Sequence, residues 1–127
     1  MIVVDASAAL LALLNDGDAR RSLAGETVAV PHLADSEVAH ALRSQVLRRR
    51  VKSDDAGAAL GGWARLGLRR FPAAGLLPRI WELRDNLTAY DATYVALAEA
   101  LACDLVTADV RLAQAPGPTC PITVVRR

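Results

Sequence analysis

Short β-branched runs alternate along this chain with longer stretches of helical periodicity. Ile2-Val3-Val4 is continuously apolar and stops at Asp5, which predicts a buried strand. Ser7 predicts the cap of a helix over Ala8–Leu14, closed by the turn-prone Asn15-Asp16-Gly17-Asp18. Thr27–Val30 reads as a second strand ended by Pro31, and a long helix follows from Leu33 to about Arg49. Ser53-Asp54-Asp55 places a capping serine before two acids, so a third helix runs to about Leu66, weakened by Gly61-Gly62. The stretch from Gly67 to Gly75 has no clear rhythm. Leu76–Leu83 is helical with Pro78 in its first turn, and Thr88–Ala102 is the strongest helix of the chain. Leu105–Thr107 is a strand, Asp109–Ala113 a short helix, and Pro116-Gly117-Pro118 a loop before a last strand at Ile122–Val125.

Strands that alternate with helices predict an α/β domain with a central, mostly parallel sheet flanked by helices. The 127 residues suit one core and leave no room for a second. At 53% hydrophobic and 23% charged residues the chain is too apolar for disorder. No apolar run reaches the roughly 20 residues of a membrane span. The first residues lack the basic start of a signal peptide. Cys103 and Cys120 form neither a CxxC motif nor a disulfide framework, which fits a reduced, cytoplasmic setting.

Four carboxylates decide the chemistry. Asp5 and Asp109 each follow a predicted strand, where ligands of open α/β sheets gather. Glu37 borders the apolar stripe Ala34, Val38, Ala41 and Leu42, and Asp91 shares a helix face with Val95, Ala98 and Ala102. Each acid alone has an ordinary explanation. Asp5 and Asp109 can start helices, Glu37 can reach water, and Asp91 completes the capping-box pattern of Thr88-Ala89-Tyr90-Asp91. Together, on neighbouring strands, they converge on one point, and carboxylates so close repel unless a cation joins them. An all-oxygen set suits Mg²⁺ or Mn²⁺ rather than zinc. His32 and His40 have no partner in view, so no metal-free acid–base pair competes. A phosphoacceptor receiver domain needs a lysine after its last strand, whereas Lys52, the only lysine, follows a helix. A haloacid-dehalogenase-like phosphatase needs Asp-x-Asp where this chain has Asp5-Ala6-Ser7.

The strings Val3–Ala8, Glu37–Arg43, Leu87–Glu99 and Val106–Leu112 resemble the PIN-domain ribonucleases, and among them the VapC toxins of VapBC toxin–antitoxin pairs. The resemblance runs over nearly the whole chain, and Thr88-Ala89-Tyr90-Asp91-Ala92 with the following Tyr94–Glu99 is its most specific part. It implies one PIN-like domain over residues 1–127. It implies a metal-dependent endoribonuclease that leaves a 5′-phosphate and a 3′-hydroxyl. Asp5 and Asp91 would be direct metal ligands, Glu37 and Asp109 would hold a second ion or a bound water, and Ser7 and Thr107 would be hydroxyl supports. It also implies a homodimer and a VapB-type antitoxin that blocks the site. A catalytically silent, RNA-binding PIN-like domain is the alternative.

Net charge is only +1, so no global basic field announces RNA. Its distribution is uneven: from Arg43 to Arg84 ten basic residues face three acidic ones, and the rest of the chain carries an excess of six negative charges. Arg43, Arg48, Arg49 and Arg50 are the candidate RNA contacts. Trp63 and Trp81 read as core or interface residues rather than base-stacking ones, and the nearly all-apolar first helix, with Leu11 and Leu14, predicts an interface.

Overall fold

Val3 and Val4, wholly buried, place the first strand in the middle of the sheet. The structure is a computed structural model that describes residues 1–126. Strand β1 (Ile2–Val4) pairs in parallel with β2 (Val28–Pro31) on one side and β4 (Asp104–Thr107) on the other. β3 (Arg69–Phe71) and β5 (Ile122–Val124) complete a five-stranded parallel sheet in the order β3-β2-β1-β4-β5. The helices are α1 (Ala6–Leu14), α2 (Asp18–Ala24), α3 (Leu33–Leu47), α4 (Ser53–Arg65), α5 (Leu77–Glu82), α6 (Ala89–Ala100) and α7 (Val110–Gln114). A 3₁₀ turn at Ala74–Leu76 leads into α5. No helix among the described residues is long and apolar enough to cross a membrane.

The parallel register of β1 and β4 matters most for function. Val3 lies opposite Leu105 and Val4 opposite Val106, so Asp5 emerges beside Thr107 at one edge. α6 brings a third group there because it is buried almost all round, from Ala92 to Ala98, and packs across β1, β2 and β4. α3 starts one residue past β2, which puts its first turns at that same edge.

Several expectations from the sequence need correction. Ser7 does not cap α1; Asp5 does, accepting the Ala8 N–H at 3.0 Å, and Ser7 is already helical. Ser53 is likewise the first residue of α4, with Lys52 at the cap position and no side-chain cap bond. α2 was not anticipated, because Asp18–Ala24 buries only Ala19 and so shows no apolar stripe. β3 was hidden because it is an edge strand with arginines at Arg69 and Arg70, the kind of charge that blunts an exposed edge. α3 ends at Leu47, so Arg48, Arg49 and Arg50 lie past the helix, and Arg49 adopts φ 58°.

The two tryptophans diverge. Trp63 is buried on α4, and its indole N–H donates to Asp35 Oδ1 at 2.8 Å. Trp81, expected in the core or at an interface, is not in the core: it is 68% exposed in the single chain, with the Arg84 guanidinium 4.7 Å above its ring.

Candidate active site

Asp5 is the most constrained of the four acids. It is 5% exposed and accepts three donors: the Ala8 N–H and the Ser7 hydroxyl (2.7 Å) on Oδ1, and the Thr107 hydroxyl on Oδ2. Each hydroxyl has one hydrogen to give. Ser7 Oγ accepts the Ala108 N–H at 2.9 Å and Thr107 Oγ1 accepts the Asp109 N–H at 3.0 Å, so both hydroxyl hydrogens are directed at Asp5. This chain of bonds ties the end of β1 to the turn after β4. Ser7 and Thr107, the hydroxyl supports that the family resemblance implies, both bond to Asp5.

Asp109 caps α7, accepting the Arg111 N–H at 2.9 Å, and the Arg111 guanidinium lies 3.5 Å from the same oxygen. Asp91 stands in the first turn of α6. The capping box is half formed: Thr88 Oγ1 accepts the Asp91 N–H at 3.1 Å, while among the described residues no donor reaches the Asp91 carboxylate. The cap therefore uses the Asp91 backbone and leaves its side chain half-buried and unengaged. Glu37, half-buried on α3, accepts the Tyr94 hydroxyl at 2.7 Å on Oε1.

The four acids feel one another. Burial raises the Asp5 carboxyl above the usual range against the pull of Thr107, Ala8 and Ser7, and Asp109 raises it further. Burial raises Glu37, the Tyr94 hydrogen bond opposes, and the charges of Asp91 and Asp5 add to the rise. Asp91 is raised by burial, then by Asp5 and Asp109, with Arg111 opposing. One edge of the sheet therefore concentrates negative charge that burial already disfavours, with Arg111 as a nearby cation.

The candidate RNA-contacting arginines lie elsewhere. Arg43 is exposed on α3, and Arg48, Arg49 and Arg50 sit beyond its far end. At about 1.5 Å per residue, eleven residues of α3 put Arg48 roughly 16 Å from Glu37.

The PIN domain family matches residues 2–118. The chain belongs to the PIN-domain family. Ribonuclease VapC9 of Mycobacterium tuberculosis is 60% identical to it over 127 residues, covering all of both chains, which places this PIN domain among the VapC ribonucleases. The crystal structure of PAE2754 from Pyrobaculum aerophilum superposes with a TM-score of 0.71 at 27% identity, over 95% of this chain and 81% of that one. VapBC2 from Rickettsia felis, solved bound to a DNA fragment from its promoter, shares the fold with a TM-score of 0.72 at 15% identity, over 99% of this chain and all of that one.

The donor chemistry of this PIN domain fits a hard divalent cation: four carboxylates, no histidine or cysteine among them, and one carboxylate with no donor of its own. Among the described residues no three such side chains are already drawn together at metal-binding distance. Tyr94 is the residue that sequence reasoning passed over. Its signal was present, because it lies three residues after Asp91 and so leaves α6 on the same face.

Proposed function

We propose that this VapC-family PIN domain is a metal-dependent endoribonuclease that serves as the toxin of a type II toxin–antitoxin pair. The observation that carries the reading is the gathering of Asp5, Glu37 and Asp91 at one sheet edge, each raised first by burial, with Asp109 acting on Asp5, Asp91 and Asp5 on Glu37, and Asp5 and Asp109 on Asp91. Carboxyls shifted in this way cluster at functional sites. Asp5 and Asp91 hold Mg²⁺ or Mn²⁺, and Glu37 and Asp109 orient water or a second ion. When bound, the ion supplies acidification of a water and neutralisation of charge on the phosphoryl oxygens. Ser7 and Thr107 keep the Asp5 carboxylate in one orientation by directing their hydroxyls at it. Arg111, exposed beside Asp109 and Asp91, offers a cation to the RNA backbone as it enters an acidic cleft. The cut leaves a 5′-phosphate and a 3′-hydroxyl.

The partners we infer are RNA, a VapB-type antitoxin and a second copy of the chain. An apolar groove of about 420 Å³, lined by Ala12, Leu13, Leu23, Val28, Leu66 and Leu68, is suited to a segment of the antitoxin. Leu11 and Leu14 line a second groove that runs to Arg50 and Lys52, in keeping with the interface expected from the all-apolar first helix. The rival reading is a silent RNA-binding PIN-like domain. One experiment separates the two. Purified protein is incubated with RNA in Mg²⁺ or Mn²⁺, with excess EDTA, and as the Asp5→Ala variant. Cleavage that EDTA abolishes and Asp5→Ala removes supports the nuclease. Undiminished cleavage in EDTA rules out the metal mechanism, and RNA binding without cleavage in any metal supports the silent domain.

A further inference from the structure

The bond between Tyr94 and Glu37 joins two helices at the acidic edge, and nothing in the chemistry assigned so far uses it. Tyr94 is 1% exposed, so its ring is set by packing, and its hydroxyl lies 2.7 Å from Glu37 Oε1. The phenol has one hydrogen to give and donates it to the Glu37 carboxylate, and the packed ring fixes the direction of that bond.

A donor on Oε1 divides the two oxygens of Glu37. Asp5 is held differently: Ser7 and Ala8 donate to its Oδ1 and Thr107 to its Oδ2, so both of its oxygens are engaged. Mg²⁺ and Mn²⁺ take single oxygens from a few carboxylates and keep several waters, whereas Ca²⁺ gathers six to eight oxygens and commonly takes carboxylates through both.

We propose that Tyr94 is a positioning residue that holds Glu37 by Oε1, so that Glu37 offers only Oε2 to the cleft, and that this single-oxygen presentation favours Mn²⁺ and Mg²⁺ over Ca²⁺. The inference rests on the metal-nuclease reading above. Tyr94 touches neither ion nor RNA; it acts through Glu37, as partners of metal-binding side chains commonly do. A buried tyrosine that merely needs an acceptor would stabilise the fold without affecting ion choice.

The test is titration calorimetry of the whole chain with Mn²⁺ and, separately, Ca²⁺. Four proteins are compared: wild type, Tyr94→Phe, Glu37→Ala and the double variant, each checked for folding by circular dichroism. Tyr94→Phe keeps the buried ring and removes only the hydroxyl. The expected result is a loss of Mn²⁺ affinity of about 10–100-fold, the range typical of such partners. The preference for Mn²⁺ over Ca²⁺ should narrow, and RNA cleavage should fall in kcat more than in KM. In the Glu37→Ala background the further loss from Tyr94→Phe should vanish, because the two changes remove one interaction. Unchanged Mn²⁺ and Ca²⁺ affinities in Tyr94→Phe, with only a lower melting temperature, would overturn the positioning role and leave the nuclease standing. Losses that simply add in the double variant would overturn it too. A wild type that binds neither ion would instead overturn the metal reading itself, and the inference with it.

Discussion

Asp91 shows how one residue divides its work between backbone and side chain. Its N–H is bound by Thr88, so the start of α6 is satisfied without its carboxylate. The carboxylate faces Asp5 and Asp109, and burial and repulsion raise it. A raised carboxyl opposes folding when ionised. Its neutral form is favoured, so the benefit is fully present below the ordinary carboxylate range and is lost as pH rises through the raised value. The same sign holds for Asp5 and Glu37. Metal-free wild-type protein should therefore melt higher as pH falls from neutral into the upper carboxylate range. Asp91→Asn should melt at or above wild type at neutral pH without metal and show a weaker rise on acidification. It should also gain less from added Mn²⁺ and lose cleavage beyond the roughly 10–100-fold that a supporting partner costs. Scanning calorimetry across pH with and without Mn²⁺ checks the four melting outcomes, and an RNA cleavage assay checks the fifth; a lower melting point together with intact cleavage would reduce Asp91 to a helix-start residue.

At the level of elements, caps and clamps can be separated from chemistry. Thr88→Ala removes the side-chain acceptor at the start of α6 and should cost about 1 kcal/mol. Cleavage per folded molecule should stay close to wild type, because the Asp91 carboxylate makes no bond to Thr88. Denaturant melts paired with an RNA cleavage assay read both quantities. A second element-scale device is Asp35. It accepts the Trp63 indole N–H and the Arg70 guanidinium (2.9 and 3.0 Å), tying α3 to α4 and to β3. The guanidinium of Arg70 holds the Asp35 carboxyl below its usual range, with the Trp63 N–H helping, so this contribution is present at neutral pH and fades as pH falls through the lowered value. Asp35→Ala leaves the indole N–H without its acceptor, which costs about 1–3 kcal/mol. The low end is expected, since Asp35 is 46% exposed and water can enter. Asp35→Asn keeps an acceptor for Trp63 and should recover most of the loss, because the exposed pair with Arg70 is worth little. Urea unfolding of both variants decides whether the indole bond or the ion pair matters.

Across the whole molecule, the four site acids and the Arg48–Arg50 cluster are set apart. The acids gather where β1 and β4 end, while Arg48, Arg49 and Arg50 lie past the far end of α3. Neutralising these three arginines together should leave cleavage of a short oligonucleotide confined to the cleft nearly unchanged. Longer RNA should bind more weakly, with a flatter salt dependence, as fewer counterions are released. Filter binding over a salt series provides the check, and an unchanged slope would assign these arginines to a solvated or protein-facing surface. The sequence by itself determined the alternation of strand and helix, and the four acids followed from their places at strand ends and on inward helix faces. Those signals are local: β-branched runs, apolar periodicity and turn residues act within a few positions. The polar edge strand β3 and the weakly buried α2 stayed hidden because pairing with β2 and packing on α1, not their own patterns, hold them. Only the tertiary structure decided that Asp5 rather than Ser7 starts α1, that Trp81 is exposed, and that Tyr94 holds Glu37. The last of these depends on groups far apart in the chain meeting in space. Tyr94 and Glu37 are separated by 57 positions, and no pattern within a single element records such a meeting.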